Sequence, residues 1–481
     1  MTNQRWVLIE SGSTQDFIFQ SNRQRFQVGA SGLVADLPTW VQEAVHSTNS
    51  EGLAIVSAIS ASAVLLADSV EAGQKVVRAV SERALLEAPG LDVWGYVEPD
   101  DAVAQGKLMD RLTGARHGLN RARIARSAAR SRFPMTPFSG QCTVTGLPAV
   151  GTLNLLGAQD QPVSALTDAV WQRAARAHTD WLKLLGAAVV SNLDRDLNPE
   201  GWVAVIHADG NGIGSVIDQL ESPDEYAAFS QDLEAATRTA FKDAVGAVSG
   251  KQWLLPIIIG GDDVTLICQA SQAAEFTRAY LLAFEARTSG IGPGGESLTA
   301  SAGVAYIKPH YPFSEAYALA EQLTRSAKKG RSRLRADNRS AWDFHVLHDA
   351  LSRPLDEIRS GHRHAIVSPL LASDPGPVQT KGQQADHEDQ PIMAAVRQLI
   401  ANEPPLSNKA QHALRSALLQ PLPHRDAEVA RVKERAIDIG GVPAATFLKE
   451  HLDDRMKNGP SSLLTVMDLV DVITGTSRTE G

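Results

Sequence analysis

Apolar residues along the chain switch between a two-residue and a helical period, and the switch points outline a β-α-β-β-α-β order between residues 202 and 307. Residues 202–208 form an apolar run ending in Asp209-Gly210-Asn211-Gly212. A helix follows, with Ser222 placed to cap it, Pro223 at its first position and Glu225 able to reach back to the cap. Phe229, Leu233, Ala236, Ala240 and Ala244 then recur at helical spacing and predict one buried face. Residues 254–259 and 264–268 are apolar strands joined by Gly260-Gly261-Asp262-Asp263, a span that suits a hairpin. A helix carrying Phe276, Tyr280, Ala283 and Phe284 and a strand over residues 298–307 come next. This is the split βαβ, ferredoxin-like order, in which the first strand lies beside the central hairpin. A further helix over 314–329 and a strand over 341–346 complete the unit.

The first hundred residues repeat the order: a strand at 6–10, a helix to about residue 45, and a hairpin over 53–67. A helix bearing Ala72, Val76, Val80 and Ala84 and a strand over 91–97 follow. The repeat is chemically unequal. Its hairpin turn, Ile59-Ser60-Ala61-Ser62, has no carboxylate, and Glu10 alone matches Asp209. The fold expected is α+β, two tandem ferredoxin-like domains and a C-terminal helical domain. The domains are residues 1–100, an Arg-rich helical and irregular connector over 101–195, the second unit over 196–350, a polar linker over 351–392, and helices over 393–481.

At 481 residues and 43% hydrophobic, the chain can bury several cores. A net charge of −9 argues against coating a polyanion by bulk charge, so any phosphate site must be local. Cys142 and Cys268 cannot build a disulfide framework. Cys142-Thr143-Val144-Thr145-Gly146 lacks the second sulfur that a zinc ribbon needs at Thr145. No stretch approaches the ~20 apolar residues of a membrane span, and no secretory leader is visible, so a cytoplasmic location is expected.

The acidic positions carry the chemistry. Nucleotidyl transfer uses a pair of divalent ions to activate a hydroxyl and neutralise pyrophosphate, and Mg²⁺ binds through one or two carboxylates plus phosphate oxygens. Asp209 at a strand end, with Asp262 and Asp263 in the neighbouring turn, would supply those carboxylates for two Mg²⁺ or Mn²⁺ ions, with the Gly210 carbonyl beside them. Gly210, Asn211, Gly212 and Gly214 are expected to let backbone N–H groups approach phosphate at a helix start. Gly260 and Gly261 keep side chains out of the nucleotide's way, and Lys328 and Lys329 offer cations for the polyphosphate.

Asp209-Gly210-Asn211-Gly212-Ile213-Gly214, Gly260-Gly261-Asp262-Asp263, Ser301-Ala302-Gly303-Val304-Ala305 and Ala327-Lys328-Lys329-Gly330-Arg331 resemble the second palm of the large polymerase-like subunit of type III CRISPR effector complexes. Phe17-Ile18-Phe19, Arg25, Gly29-Ala30-Ser31 and Ala88-Pro89-Gly90-Leu91 are similar to that family's inactive first palm. The resemblance implies a two-palm enzyme that makes cyclic oligoadenylate messengers from ATP and Mg²⁺ when its complex, built with other protein subunits, binds foreign RNA. It also implies metal-binding roles for Asp209, Asp262 and Asp263. The HD nuclease domain common in the family is not expected here, because the first palm starts almost at Met1; His348-Asp349 has no upstream partner motif. This marks a shortened or stand-alone relative.

Two other readings compete. Diguanylate cyclases share the palm and use GTP, but Val264 follows Asp263 where they carry an acid and Phe, and residues 251–259 hold no Arg or Asp for their inhibitory site. A non-catalytic RNA- or protein-binding scaffold would be expected to lose acids, as the first palm has. Residues 111–132, finally, hold seven arginines and no acid. A helix over 121–132 with Ile124 and Ala128 on one side would direct Arg121, Arg123, Arg126 and Arg130 to RNA phosphates or to acidic surface elsewhere.

Overall fold

In the computed structural model the described residues are 4–12, 14–47, 52–103, 107–125, 133–155, 159–195, 197–198, 201–333, 338–348, 353–360, 370–372, 389–420, 424–453 and 462–474. The first sheet takes β1 (Arg5–Gly12), β2 (Leu53–Ile59), β3 (Ser62–Ala67) and β4 (Asp92–Val97) in the order β2-β3-β1-β4. Around it lie α1 (Thr14–Phe19), α2 (Gln24–Ala35), α3 (Leu37–Ser47) and α4 (Val70–Glu87), so the single helix expected up to residue 45 is three. Ala72, Val76, Val80 and Ala84 form the buried face of α4 as predicted. After α5 (Asp100–Val103), α6 (Leu108–Ile124) packs on β1 and β4 through Leu112, Ala115 and Leu119. Its helix thus starts well before residue 121, and Ile124 is exposed. Arg126 and Arg130 lie outside the described residues.

The connector continues with the small hairpin β5 (Gly151–Asn154) and β6 (Asp160–Val163) and with α7 (Ala165–Leu185). Helix α7 lies against α2 so closely that a Cβ on Gly29 would overlap the Val170 carbonyl. Glycine is required there.

The second sheet repeats the first and extends it. Strands β7 (Val203–Gly210), β8 (Leu254–Gly260), β9 (Asp263–Gln269) and β10 (Ala300–Ile307) stand in the order β8-β9-β7-β10, continued by β11 (Ala341–Val346) and β12 (Leu370–Leu371). Between them run α8 (Ile213–Ile217), α9 (Pro223–Ala247), α10 (Ala270–Arg287) and α11 (Phe313–Arg333). The Ser222 hydroxyl accepts from the Glu225 N–H, and Phe229, Leu233, Ala236, Ala240 and Ala244 are buried, as the pattern predicts. Strand β10 runs parallel to β11 and α11 bridges them, the connection a parallel pair needs. The repeat reaches local detail: the β2–β3 ladder bulges between Ile55 and Ser57, and the β8–β9 ladder between Pro256 and Ile258. Tandem palms are therefore a property of the backbone, not only of the apolar pattern.

The C-terminal elements are α12 (Leu355–Ser360), whose Leu355 joins the core shared with the first palm, and α13 (Asp389–Leu399), α14 (Asn408–Leu418), α15 (His424–Leu448) and α16 (Ser462–Thr474), whose apolar faces join the core of the second palm. Arg415 is buried here between Asp468 and Asp471 and also bonds His348 Nε2 at 2.8 Å. His348 is thus structural; Asp349 lies outside the described residues.

Candidate active site

Strand β7 delivers Asp209 one residue before its end, where it pairs with Ser301 of β10. On the other side of β7, the β8–β9 hairpin closes with Gly260 paired to Asp263, leaving Gly261 and Asp262 to form the turn. Gly261 sits at φ +63, a left-handed conformation that favours glycine. One carboxylate oxygen from each of Asp209, Asp262 and Asp263 lies within 4.8 Å of the others, the one group of acids or histidines among the described residues close enough to hold a metal ion. Lys328 of α11 places its ammonium on the Asp209 carboxylate and 3.0 Å from the Gly210 carbonyl.

Crowded like charges set the electrostatics. Burial, and then the Asp209 charge, push the Asp262 carboxyl up to about 6. Asp263 is also raised, by the protein packed around its carboxyl and by the charges of Asp262 and Asp209, although its side chain reaches solvent. Lys328 opposes these shifts and does not cancel them. Three clustered carboxylates facing one ammonium form a site that favours added positive charge.

The glycines divide in their duties. Open space surrounds the Cβ positions of Gly212 and Gly214, consistent with room for a phosphate, but α8 spans only Ile213–Ile217, and so short a helix adds little dipole. A Cβ on Gly210 would come 2.8 Å from Asp262, so glycine there lets the turn close onto β7. Gly260 faces the first palm, where an added Cβ would overlap the Ser60 hydroxyl. Its absent side chain therefore makes room for the other hairpin. Asn211 is buried and held to β10, donating to Thr299 Oγ1 at 3.0 Å and accepting from Ser301 at 2.9 Å. Lys329 is exposed.

Three features here had no sequence signal. His207 lies buried two residues before Asp209, near Thr265 and Tyr317. Tyr317 accepts from Gln15 of the first palm at 2.9 Å and stacks on Phe19 with ring centroids 4.7 Å apart. A cavity of about 380 Å³ runs between the palms beside the acids, lined among others by His207, Thr265, Tyr317, Ser60, Trp181 and Arg238. All three depend on contacts between residues far apart in the chain.

The Arg-rich helix is largely paired. Arg111 bonds the buried Glu98 at 3.1 Å, Arg116 approaches Asp218 at 3.7 Å and Arg123 approaches Glu10 at 3.7 Å. Among the described site arginines, Arg121 is exposed. Cys142 is a buried thiol bonded to Thr167; burial alone would raise it, but hydrogen bonds from Thr145, Thr167 and nearby backbone bring it down to about 6.

A ferredoxin-like sheet with an acidic hairpin turn beside an acidic strand end defines the palm domain of nucleotidyltransferases and cyclases. Residues 202–335 match the family model of the Cas10/Cmr2 second palm domain, so this part of the chain is similar to the second palm of that family. The fold agrees over nearly the whole length. The structure of a Csm1–Csm4 cassette in complex with cA4 superposes with a TM-score of 0.57 at 14% identity, covering 98% of this chain and 70% of that one. The cassette with AMPPNP gives 0.51 at 14% identity, and a Csm1–Csm4 subcomplex of the type III-A interference complex 0.54 at 14%, with the same coverages. At this identity the likeness is one of fold. No curated protein matches the sequence. No described helix is long and apolar enough to cross a membrane.

Proposed function

We propose that the chain is a metal-dependent nucleotidyltransferase that joins ATP into cyclic oligoadenylate within a type III effector assembly. The observation that carries this reading is the convergence of Asp209, Asp262 and Asp263 beside Lys328. The residues fit divalent cations, since uncompensated carboxylates on two adjacent strands are the donor set that Mg²⁺ or Mn²⁺ takes. Bound ions would lower the pKa of the attacking hydroxyl and neutralise the leaving pyrophosphate. The chain's own residues hold and orient: the three acids fix the ions, Lys328 is poised to exchange Asp209 for phosphate, and open backbone at Gly212 and Gly214 admits the polyphosphate. The cavity of about 380 Å³ is large enough for a base and sugar.

The preference for adenine draws its support from the similar cassettes solved with AMPPNP, pppApApA and cA4. Partner subunits follow by the same likeness to Csm1–Csm4, with RNA as the activating input and Arg121 as a described arginine open to it. The test is incubation of the chain, alone and with its partner subunits, with ATP or GTP and Mg²⁺ or Mn²⁺, resolving products by mass spectrometry. Cyclic adenylates from ATP, lost in Asp209→Asn and Asp262→Asn, are expected. Preferential use of GTP would turn the assignment to a diguanylate-type cyclase, and no turnover with any partner would leave a scaffold.

A further inference from the structure

Buried threonines in helices ordinarily satisfy their hydroxyls on the carbonyl one turn back. Thr277 within α10 and Thr288 at its C-terminal cap, both buried, do so, bonding Ala273 and Phe284. Thr237 is fully buried in α9, yet its hydroxyl leaves the helix and donates to the Gly261 carbonyl at 2.7 Å. The β8–β9 ladder ends at Gly260 and Asp263, so this carbonyl lies in the turn beyond the last rung. Helix α9 is a firm platform, anchored at its cap by Ser222 and along its length by Phe229, Leu233 and Phe241.

We propose that Thr237 is a positioning residue for the acid cluster, its hydroxyl holding the Gly261 carbonyl and thereby the direction in which Asp262 leaves the turn. The peptide plane supplies the link. The Gly261 carbonyl and the Asp262 N–H and Cα share one rigid plane, so a hydroxyl that fixes the carbonyl also fixes where the Asp262 side chain begins. Glycine at φ +63 has wide backbone freedom, and without this bond the turn has other conformations open to it. A second buried threonine acts from the opposite face: Thr324 of α11 bonds its own Ala320 carbonyl at 2.9 Å and also His207 of β7 at 3.0 Å, two residues from Asp209. Each acid-bearing element is therefore gripped by a helix hydroxyl. This proposal rests on the metal-site reading given above and extends it to the groups that hold the ligands.

The experiment compares the full chain with Thr237→Val, which keeps shape and loses the hydroxyl, Thr237→Ser, which keeps the hydroxyl, and Asp262→Asn. Free Mn²⁺ is followed by electron paramagnetic resonance as protein is added, and turnover is measured against metal concentration. Loss of an outer group that orients a metal ligand typically weakens metal binding by about 10–100-fold. Thr237→Val should show that loss, with half-maximal turnover moved to higher metal, and Thr237→Ser should restore binding to within a few-fold. If Thr237→Val does not fold, Thr237→Ala is read in the same way. Wild-type Mn²⁺ affinity in Thr237→Val while Asp262→Asn has lost it overturns the role of Thr237 and leaves the site standing. Wild-type affinity in Asp262→Asn as well overturns the site and this proposal together.

Discussion

The two palms share a backbone and differ in a handful of side chains. In the first, the strand-end acid is Glu10, and Arg123 of α6 approaches it; in the second it is Asp209, and Lys328 of α11 sits on it. Arg123 and Lys328 stand the same distance from the first residues of their helices, Leu108 and Phe313, and each helix packs on the corresponding pair of strands. An acid–cation pair thus recurs at the same place in both palms. What separates the palms is the turn. Ser60 is at φ +52 where Gly261 is at φ +63, so the left-handed turn persists in the first palm without glycine and without carboxylates. One palm kept the scaffold and the other kept the charge.

The largest effect that would test this difference is on turnover. Asp209→Asn and Asp262→Asn should each lower nucleotide transfer by roughly a thousandfold or more with circular dichroism unchanged, because each removes a ligand charge from a two-ion site. Activity near wild type in either purified variant would erase the distinction between the palms.

The abutting turns come next. A Cβ on Gly260 has to displace Ser60, so Gly260→Ala should cost about 1–3 kcal/mol in chemical denaturation, as overpacking does. Ser60→Gly in the same chain should recover most of that loss, since it removes the obstructing side chain. A double variant no more stable than Gly260→Ala would show that the two hairpins do not constrain each other.

A smaller effect concerns pH. The Asp262 carboxyl is held up to about 6, above the ordinary carboxylate value of 3.8, so its ionised form is worse tolerated in the folded chain than in the unfolded one. Its contribution to stability is complete below the unfolded pKa and is lost as pH rises from about 4 to about 6. Metal-free protein at pH 7 should therefore gain about 1–2 kcal/mol from Asp262→Asn, after allowance for solvent and relaxation around the cluster. Mg²⁺ should raise the melting temperature of the parent and not of the variant. If the substitution lowers metal-free stability at pH 7, the carboxylates are not in conflict.

The smallest effect belongs to the first palm. Glu10 and Arg123 are 37% and 39% exposed at the level of their side chains and 3.7 Å apart, a pair worth well under ~1 kcal/mol, so Glu10→Gln should change neither stability nor turnover measurably. A loss as deep as that of Asp209→Asn would show that the first palm takes part in the chemistry.

The sequence by itself determined the repeat, the hairpins and the acids brought to them, because periodicity and turn chemistry are local and strand order follows from them. Asp209, Asp262 and Asp263 were legible for that reason: each sits at a strand end whose position a split βαβ order already specifies. The tertiary structure decided what lies between distant segments. That Gly260 makes room for Ser60, that Asn211 is spent on β10, that Arg123 answers Glu10 and that Thr237 reaches Gly261 are contacts across dozens to hundreds of residues. No local period encodes such contacts. They arise when two sheets and their helices pack, and side-chain volume and hydrogen-bond satisfaction then select which residue each position can hold.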